Sequence, residues 1–129
     1  KACELIDYKD AVEASEIKNY LLSNLIKING TVYNGKTGDS PFILNISFGD
    51  IRSEVMLNAL SNEGIYVSSG SACASGHHGS HVLSAMNVPK PDSAIRFSLS
   101  RYNTLEEADI VIDKLIEYSM HMIICFKQR

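Results

Sequence analysis

The sequence has no basic excess, no long apolar run and no pairing among its few cysteines, and each lack closes off a class of function. Lys plus Arg is 12 and Asp plus Glu is 15 over 129 residues, a formal charge of −3. A mildly acidic chain without a basic run lacks the electrostatic footprint of a nucleic-acid binder. No apolar stretch approaches the ~20 residues that a membrane helix needs, and no basic-then-apolar leader opens the chain. Neither nucleic acid nor membrane is therefore an expected partner. Cys3, Cys73 and Cys125 are odd in number and form no C-x-x-C pair. That pattern fits a reducing cytoplasm better than a disulfide framework. Internal repeats and low-complexity segments are missing too. Lys1 stands where a whole chain would carry Met, as expected of a chain that begins partway through a longer one, though a trimmed chain would look the same.

What is present reads as one ordinary globular domain: 45% of residues are hydrophobic and 21% charged, and the length suffices for a single core. From about Tyr8 to Ile28 the apolar residues Ile17, Leu21, Leu25 and Ile28 recur every three or four positions, an amphipathic helix that ends at Asn29-Gly30. Thr31-Val32-Tyr33 is β-prone, and residues 34–41 form a loop rich in Gly, Asn and Asp. Phe42 to Phe48 alternates, with Phe42, Leu44, Ile46 and Phe48 on one face and Asn45 and Ser47 on the other. Asp50 or Ser53 caps a short helix that Gly64 stops. Ile65 to Ser68 is a short strand, Ser80 caps a second short helix, and Ala94 to Leu99 alternates again. Thr104-Leu105-Glu106-Glu107 is a capping box that opens a last helix through Ile110, Leu115 and Met122. The order α-β-β-α-β-α-β-α predicts an α/β or α+β fold, a three- to four-stranded sheet with helices on one face.

Gly30-Thr31-Val32-Tyr33-Asn34-Gly35-Lys36-Thr37 spells the phosphate-loop pattern G-x-x-x-x-G-K-[ST]. Its mechanism needs a strand before and a helix after, so that backbone N–H groups point at phosphate. Here a helix precedes it and a strand follows. The match is a decoy.

A better signal is Ser68-Ser69-Gly70-Ser71-Ala72-Cys73, where a strand runs out into small residues around one thiol. Free cysteine is usually a small buried hydrophobe, but that role needs apolar neighbours, and these are Ser, Gly and Ala. Backbone N–H groups and hydroxyls near the sulfur favour thiolate, and Gly70 and Gly76 would let the segment swing. Arg96 interrupts an apolar strand on the face opposite Ile95 and Phe97, where it is either a solvated surface residue or a bidentate carboxylate partner. His77, His78 and His81 follow the cysteine as C-x₃-H-H-x₂-H. Adjacent histidines rarely aim at one ion, so loop solvation or helix capping explains them better than a metal site, and no metal is expected.

Together these segments resemble the cysteine desulfurases, pyridoxal-phosphate (PLP) enzymes of the class V aminotransferase fold. The resemblance runs from about Ile17 to His121. It rests on Asn45-Ile46-Ser47-Phe48, Val67-Ser68-Ser69-Gly70-Ser71-Ala72-Cys73, Ser80-His81-Val82-Leu83, Ile95-Arg96-Phe97-Ser98-Leu99 and Asn103-Thr104-Leu105-Glu106-Glu107. It implies that residues 1–129 are a single domain, the C-terminal small domain of a homodimeric enzyme whose large PLP-binding domain is not in this sequence. Cys73 would take sulfur from L-cysteine, leaving L-alanine and a persulfide that passes to an iron–sulfur scaffold or another sulfur acceptor. Arg96 would hold the substrate carboxylate, Asn45 would be a secondary candidate on the same face, and Ser69, Gly70, Ser71, Ala72 and Gly76 would form the catalytic loop. The family's cofactor lysine follows a Ser/Thr and a His, and no lysine here has that context. No PLP is expected on this chain alone, which would be inactive by itself. The alternatives are a standalone sulfur carrier working without PLP and, less favoured, a Cys/His metal-binding domain.

Overall fold

A computed structural model describes residues 7–69 and 80–127, with the backbone alone for His81 and residues 123–127. The candidate residues Gly70, Ser71, Ala72, Cys73 and Gly76, together with His77 and His78, lie outside the described residues. The elements run α1 (Tyr8–Leu25), β1 (Thr31–Tyr33), β2 (Ile43–Phe48), α2 (Ser53–Asn62), β3 (Ser68–Ser69), α3 (His81–Ala85), a 3-10 turn (Pro91–Ser93), β4 (Ala94–Ser98) and α4 (Leu105–Lys127). This is the expected order. The sheet is antiparallel throughout and ordered β1-β2-β4-β3, so the last strand inserts between the second and third.

Period-two alternation on β2 and β4 sorts their side chains onto two faces. Leu44, Ile46, Phe48, Ile95 and Phe97 turn to one face and join Ile17, Leu21 and Leu25 of α1, Met56 and Leu60 of α2, and Ala108, Ile112 and Leu115 of α4 in a single core. The three longer helices thus meet the apolar face. The opposite face carries Asn45, Ser47, Ala94, Arg96 and Ser98. Both edge strands are very short, which limits the unpaired backbone open to other chains.

Several local expectations need correction. The α2 N-cap is Arg52, with no side-chain cap bond. Neither Asp50 nor Ser53 fills that role: Asp50 instead pairs with Lys90 at 2.5 Å, and Ser53 is already helical. The third strand begins at Ser68, because Ile65 to Val67 make no ladder with β4. On α4 the buried stripe is Ala108, Ile112, Leu115 and Ser119, while Ile110 is 57% exposed.

Other local signals hold. Gly64 adopts φ +75° just past α2, a conformation that favours glycine, and Ser80 Oγ accepts from Leu83 N at the start of α3. The Thr104 box closes in both directions, with Glu107 N donating to Thr104 Oγ1 and Thr104 N to Glu107 Oε2, each at 3.2 Å. Thr104→Ala is expected to cost about 1 kcal/mol, read as a lower urea midpoint with an unchanged m-value. An unshifted midpoint would mean that the packing of α4 makes the cap redundant.

The loop between β1 and β2 is tied to α1 by a partly buried ion pair. Lys18, 5% exposed, pairs with Asp39 and also donates to Ser40 O at 2.8 Å. Tyr33 OH donates to the other Asp39 oxygen at 2.7 Å. The Lys18 ammonium holds the Asp39 carboxyl below the usual carboxylate range, with help from Tyr33 and the Lys36 N–H. Burial and then Asp39 push the Tyr33 phenol up. A Cβ at position 35 would displace the ends of the Asp39 and Tyr33 side chains, so glycine there leaves room for the clamp. Residues 30–37 are thus a glycine turn, an edge strand and a clamped loop, with no helix after Lys36 to receive phosphate.

Candidate functional site

Arg96 stands at the middle of β4, exposed on the polar face of the sheet. The register places Asn45 of β2 beside it on one side and Ser68 of β3 on the other. Beyond Asn45 the row continues to Asn34, whose backbone N–H donates to Asn45 O at 2.9 Å and extends the β1–β2 ladder by one residue. Asn34, Asn45, Arg96 and Ser68 therefore cross the sheet in one line. Among the described residues Arg96 has no carboxylate partner. An exposed guanidinium on a β-strand, beside neutral hydrogen-bonding groups, has the chemistry to pair with a carboxylate.

Asn45 is held from one side. Asn34 Nδ2 donates to Asn45 Oδ1 and to Ser47 Oγ, both at 2.8 Å. Asn34 is 9% exposed and Ser47 only 1%. The arrangement leaves Asn34 Oδ1 buried without a hydrogen-bond partner among the described residues, at a cost of about 1–3 kcal/mol.

The structure therefore brings two of the expected residues, Arg96 and Asn45, into adjacent positions on one face. Ser69 pairs with Ile95, one position along β4 from Arg96. The segment that holds Gly70, Ser71, Ala72, Cys73 and Gly76 follows Ser69 directly in sequence but lies outside the described residues. Asn34 was not anticipated. As the residue after a β-prone tripeptide it reads as the start of a loop, and only the β1–β2 register places it against Asn45 and Ser47. A groove of about 350 Å³ lined by Ile17, Leu21, Phe97, Ala108 and Val111 belongs to the helix side of the sheet and includes none of these polar residues.

PLP needs an amine for its aldehyde. No lysine lies on any of the four strands, and Lys18, Lys90 and Lys114 are engaged by Asp39, Asp50 and the pair Glu63 and Glu117. The described residues do not by themselves fit the cofactor. No helix among them is long and apolar enough to cross a membrane.

Comparison with known proteins identifies the family. The family model for aminotransferase class-V matches residues 4–111. Cysteine desulfurase IscS of Dictyoglomus turgidum is 38% identical over 112 residues, covering 83% of this chain and 28% of that protein. Cysteine desulfurase NifS of Azotobacter vinelandii is 48% identical over 83 residues, 59% of this chain and 21% of its own length. A solved NifS-like protein superposes with a TM-score of 0.72 at 34% identity, covering 85% of this chain and 28% of that one. The chain thus spans under a third of the length of the relatives it matches. With the family model covering most of its residues, the chain belongs to the aminotransferase class-V family, and it is similar there to cysteine desulfurases.

Proposed function

We propose that this chain is the sulfur-accepting part of a cysteine desulfurase, in which Arg96 binds the carboxylate of L-cysteine and Cys73 takes its sulfur. The observation that carries the reading is Arg96 itself, exposed on the polar face between Asn45 and Ser68 and without a carboxylate partner among the described residues. The segment that holds Cys73 follows Ser69 in sequence, and Ser69 pairs with Ile95 on that same strand. A thiolate at Cys73 would attack the substrate sulfur. The S–S bond of a persulfide forms, the substrate C–S bond breaks, and its electron pair stays with carbon, which takes a proton to become alanine. The persulfide sulfur then leaves for an acceptor protein, with an iron–sulfur scaffold the favoured class. The family's cofactor supplies an electron sink at the substrate carbon. In this reading it belongs to a large domain encoded outside this sequence, within a cytoplasmic homodimer.

The test uses the longer protein that the reading requires, expressed with L-cysteine and PLP supplied. Alanine release and a reductant-removable persulfide are expected, and Cys73→Ser should abolish the persulfide. Arg96→Ala should raise KM for cysteine by about 10²-fold, with a smaller change in kcat. Unchanged KM and kcat would remove Arg96 from the site. The other reading is a sulfur carrier that works without PLP. Persulfide loading of this chain alone, from a low-molecular-weight persulfide, with no longer gene product in the source, would favour the carrier instead.

A further inference from the structure

We infer that Asn34 is a positioning residue that aims the Asn45 amide, so that Asn45 and Arg96 together present only donors to an amino-acid carboxylate. This inference rests on the reading of Arg96 above and extends it to a residue that touches no substrate. An asparagine amide has an acceptor end and a donor end, and its direction is set by whatever engages one of them. Here Asn34 Nδ2 engages Asn45 Oδ1 at 2.8 Å from the β1 side. The donor end of Asn45, Nδ2, is therefore the end left unspent, on the strand next to Arg96. Asn34 is fixed in turn by its second bond, to Ser47 Oγ, by its backbone bond to Asn45 O, and by its place between Tyr33 and Gly35, where the Lys18–Asp39 clamp holds the loop.

The direction matters electrostatically. If Asn45 presented Oδ1 towards β4, that oxygen would accept from the Arg96 guanidinium and repel an incoming carboxylate. With Oδ1 occupied, Asn45 adds N–H donors beside the guanidinium, and the row recognises acceptor-only groups. The buried, unpaired Asn34 Oδ1 is the cost of spending both Asn34 N–H groups in this way.

Two measurements on this chain, labelled with ¹⁵N, decide the matter. The first compares side-chain NH₂ exchange with water. Asn34 should exchange slowly because its N–H groups are buried and bonded, and Asn45 fast because its own are open. Equal or reversed rates overturn the assignment, and this comparison needs no variant to fold. The second titrates L-alanine, with alaninamide as the control lacking a carboxylate, and follows the Asn45 NH₂ signals. Alanine but not alaninamide should shift them. Asn34→Asp, which offers Asn45 only acceptors and so turns its amide around, should weaken alanine binding about tenfold. Loss of binding in Arg96→Ala with no change in Asn34→Asp would overturn the role of Asn34 and leave that of Arg96. The converse would remove Arg96 and keep Asn34. No carboxylate-dependent shift in the wild-type chain would overturn both.

Discussion

Lys18→Met is expected to destabilise the fold by about 2–3 kcal/mol, lowering Tm by about 10 °C. Methionine matches the stem of the lysine but leaves Asp39 without its cation, and the Asp39 side chain is only 29% exposed. Breaking one partner out of a fully buried pair costs about 3–5 kcal/mol, and the partial exposure of Asp39 reduces that figure. The pH dependence separates this mechanism from simple packing loss. The folded-state pKa of Asp39 is depressed, chiefly by Lys18. Its contribution is therefore present above the unfolded carboxyl pKa of about 4 and disappears as pH falls through the lower folded value. Wild type should lose stability in that acid window, and Lys18→Met should lose much less there, so that the two curves converge once pH has fallen below the depressed folded value. Lys18→Met with Asp39→Asn should recover a good part of the loss at neutral pH, since no charge is then left unpaired. A pH-independent gap between wild type and Lys18→Met would show that Asp39 gains nothing from the ammonium.

The second large effect is a contrast between neighbours on β4. Ile95 is fully buried in the core, and Ile95→Ala is expected to cost about 2–5 kcal/mol through lost transfer energy and the cavity left behind. Arg96, the next residue, faces the other way and is exposed. Arg96→Ala is expected to change stability by no more than about 0.5 kcal/mol while removing carboxylate recognition. Urea denaturation of the two variants gives both numbers. A loss of more than about 1 kcal/mol in Arg96→Ala would make that arginine part of the structural framework, and the carboxylate reading would lose its main support. A small loss in Ile95→Ala would mean that α1 and α4 collapse readily onto the vacated space.

Much of this was legible from local pattern alone. The period-two alternation of Phe42–Phe48 and Ala94–Leu99, the three- and four-residue spacing through Ile17, Leu21 and Leu25, and the Thr104–Glu107 box are short-range signals, and short-range physics decides them. They yield the element order, the two faces of the sheet, and the side of β4 on which Arg96 stands. The small-residue run around Cys73 is equally a property of neighbours in sequence. Two local errors, the α2 cap at Arg52 and the late start of β3, came where long-range bonds compete. Asp50 is drawn off to Lys90, forty residues away, and Ile65 to Val67 have no β4 partner in register.

Strand order and register belong to the tertiary structure. Nothing in the spacing of β-prone segments says that β4 inserts between β2 and β3, yet that insertion is what sets Arg96 between Asn45 and Ser68. The pairing of β1 with β2 turns Asn34 from a loop residue into the group that holds Asn45, and the packing of α1 against the 34–41 loop turns Lys18 from a helix-surface lysine into a buried cation. In each case the deciding partner is distant in sequence. Pairing across a sheet is selected by the burial of the whole apolar face at once, and no single segment carries that information.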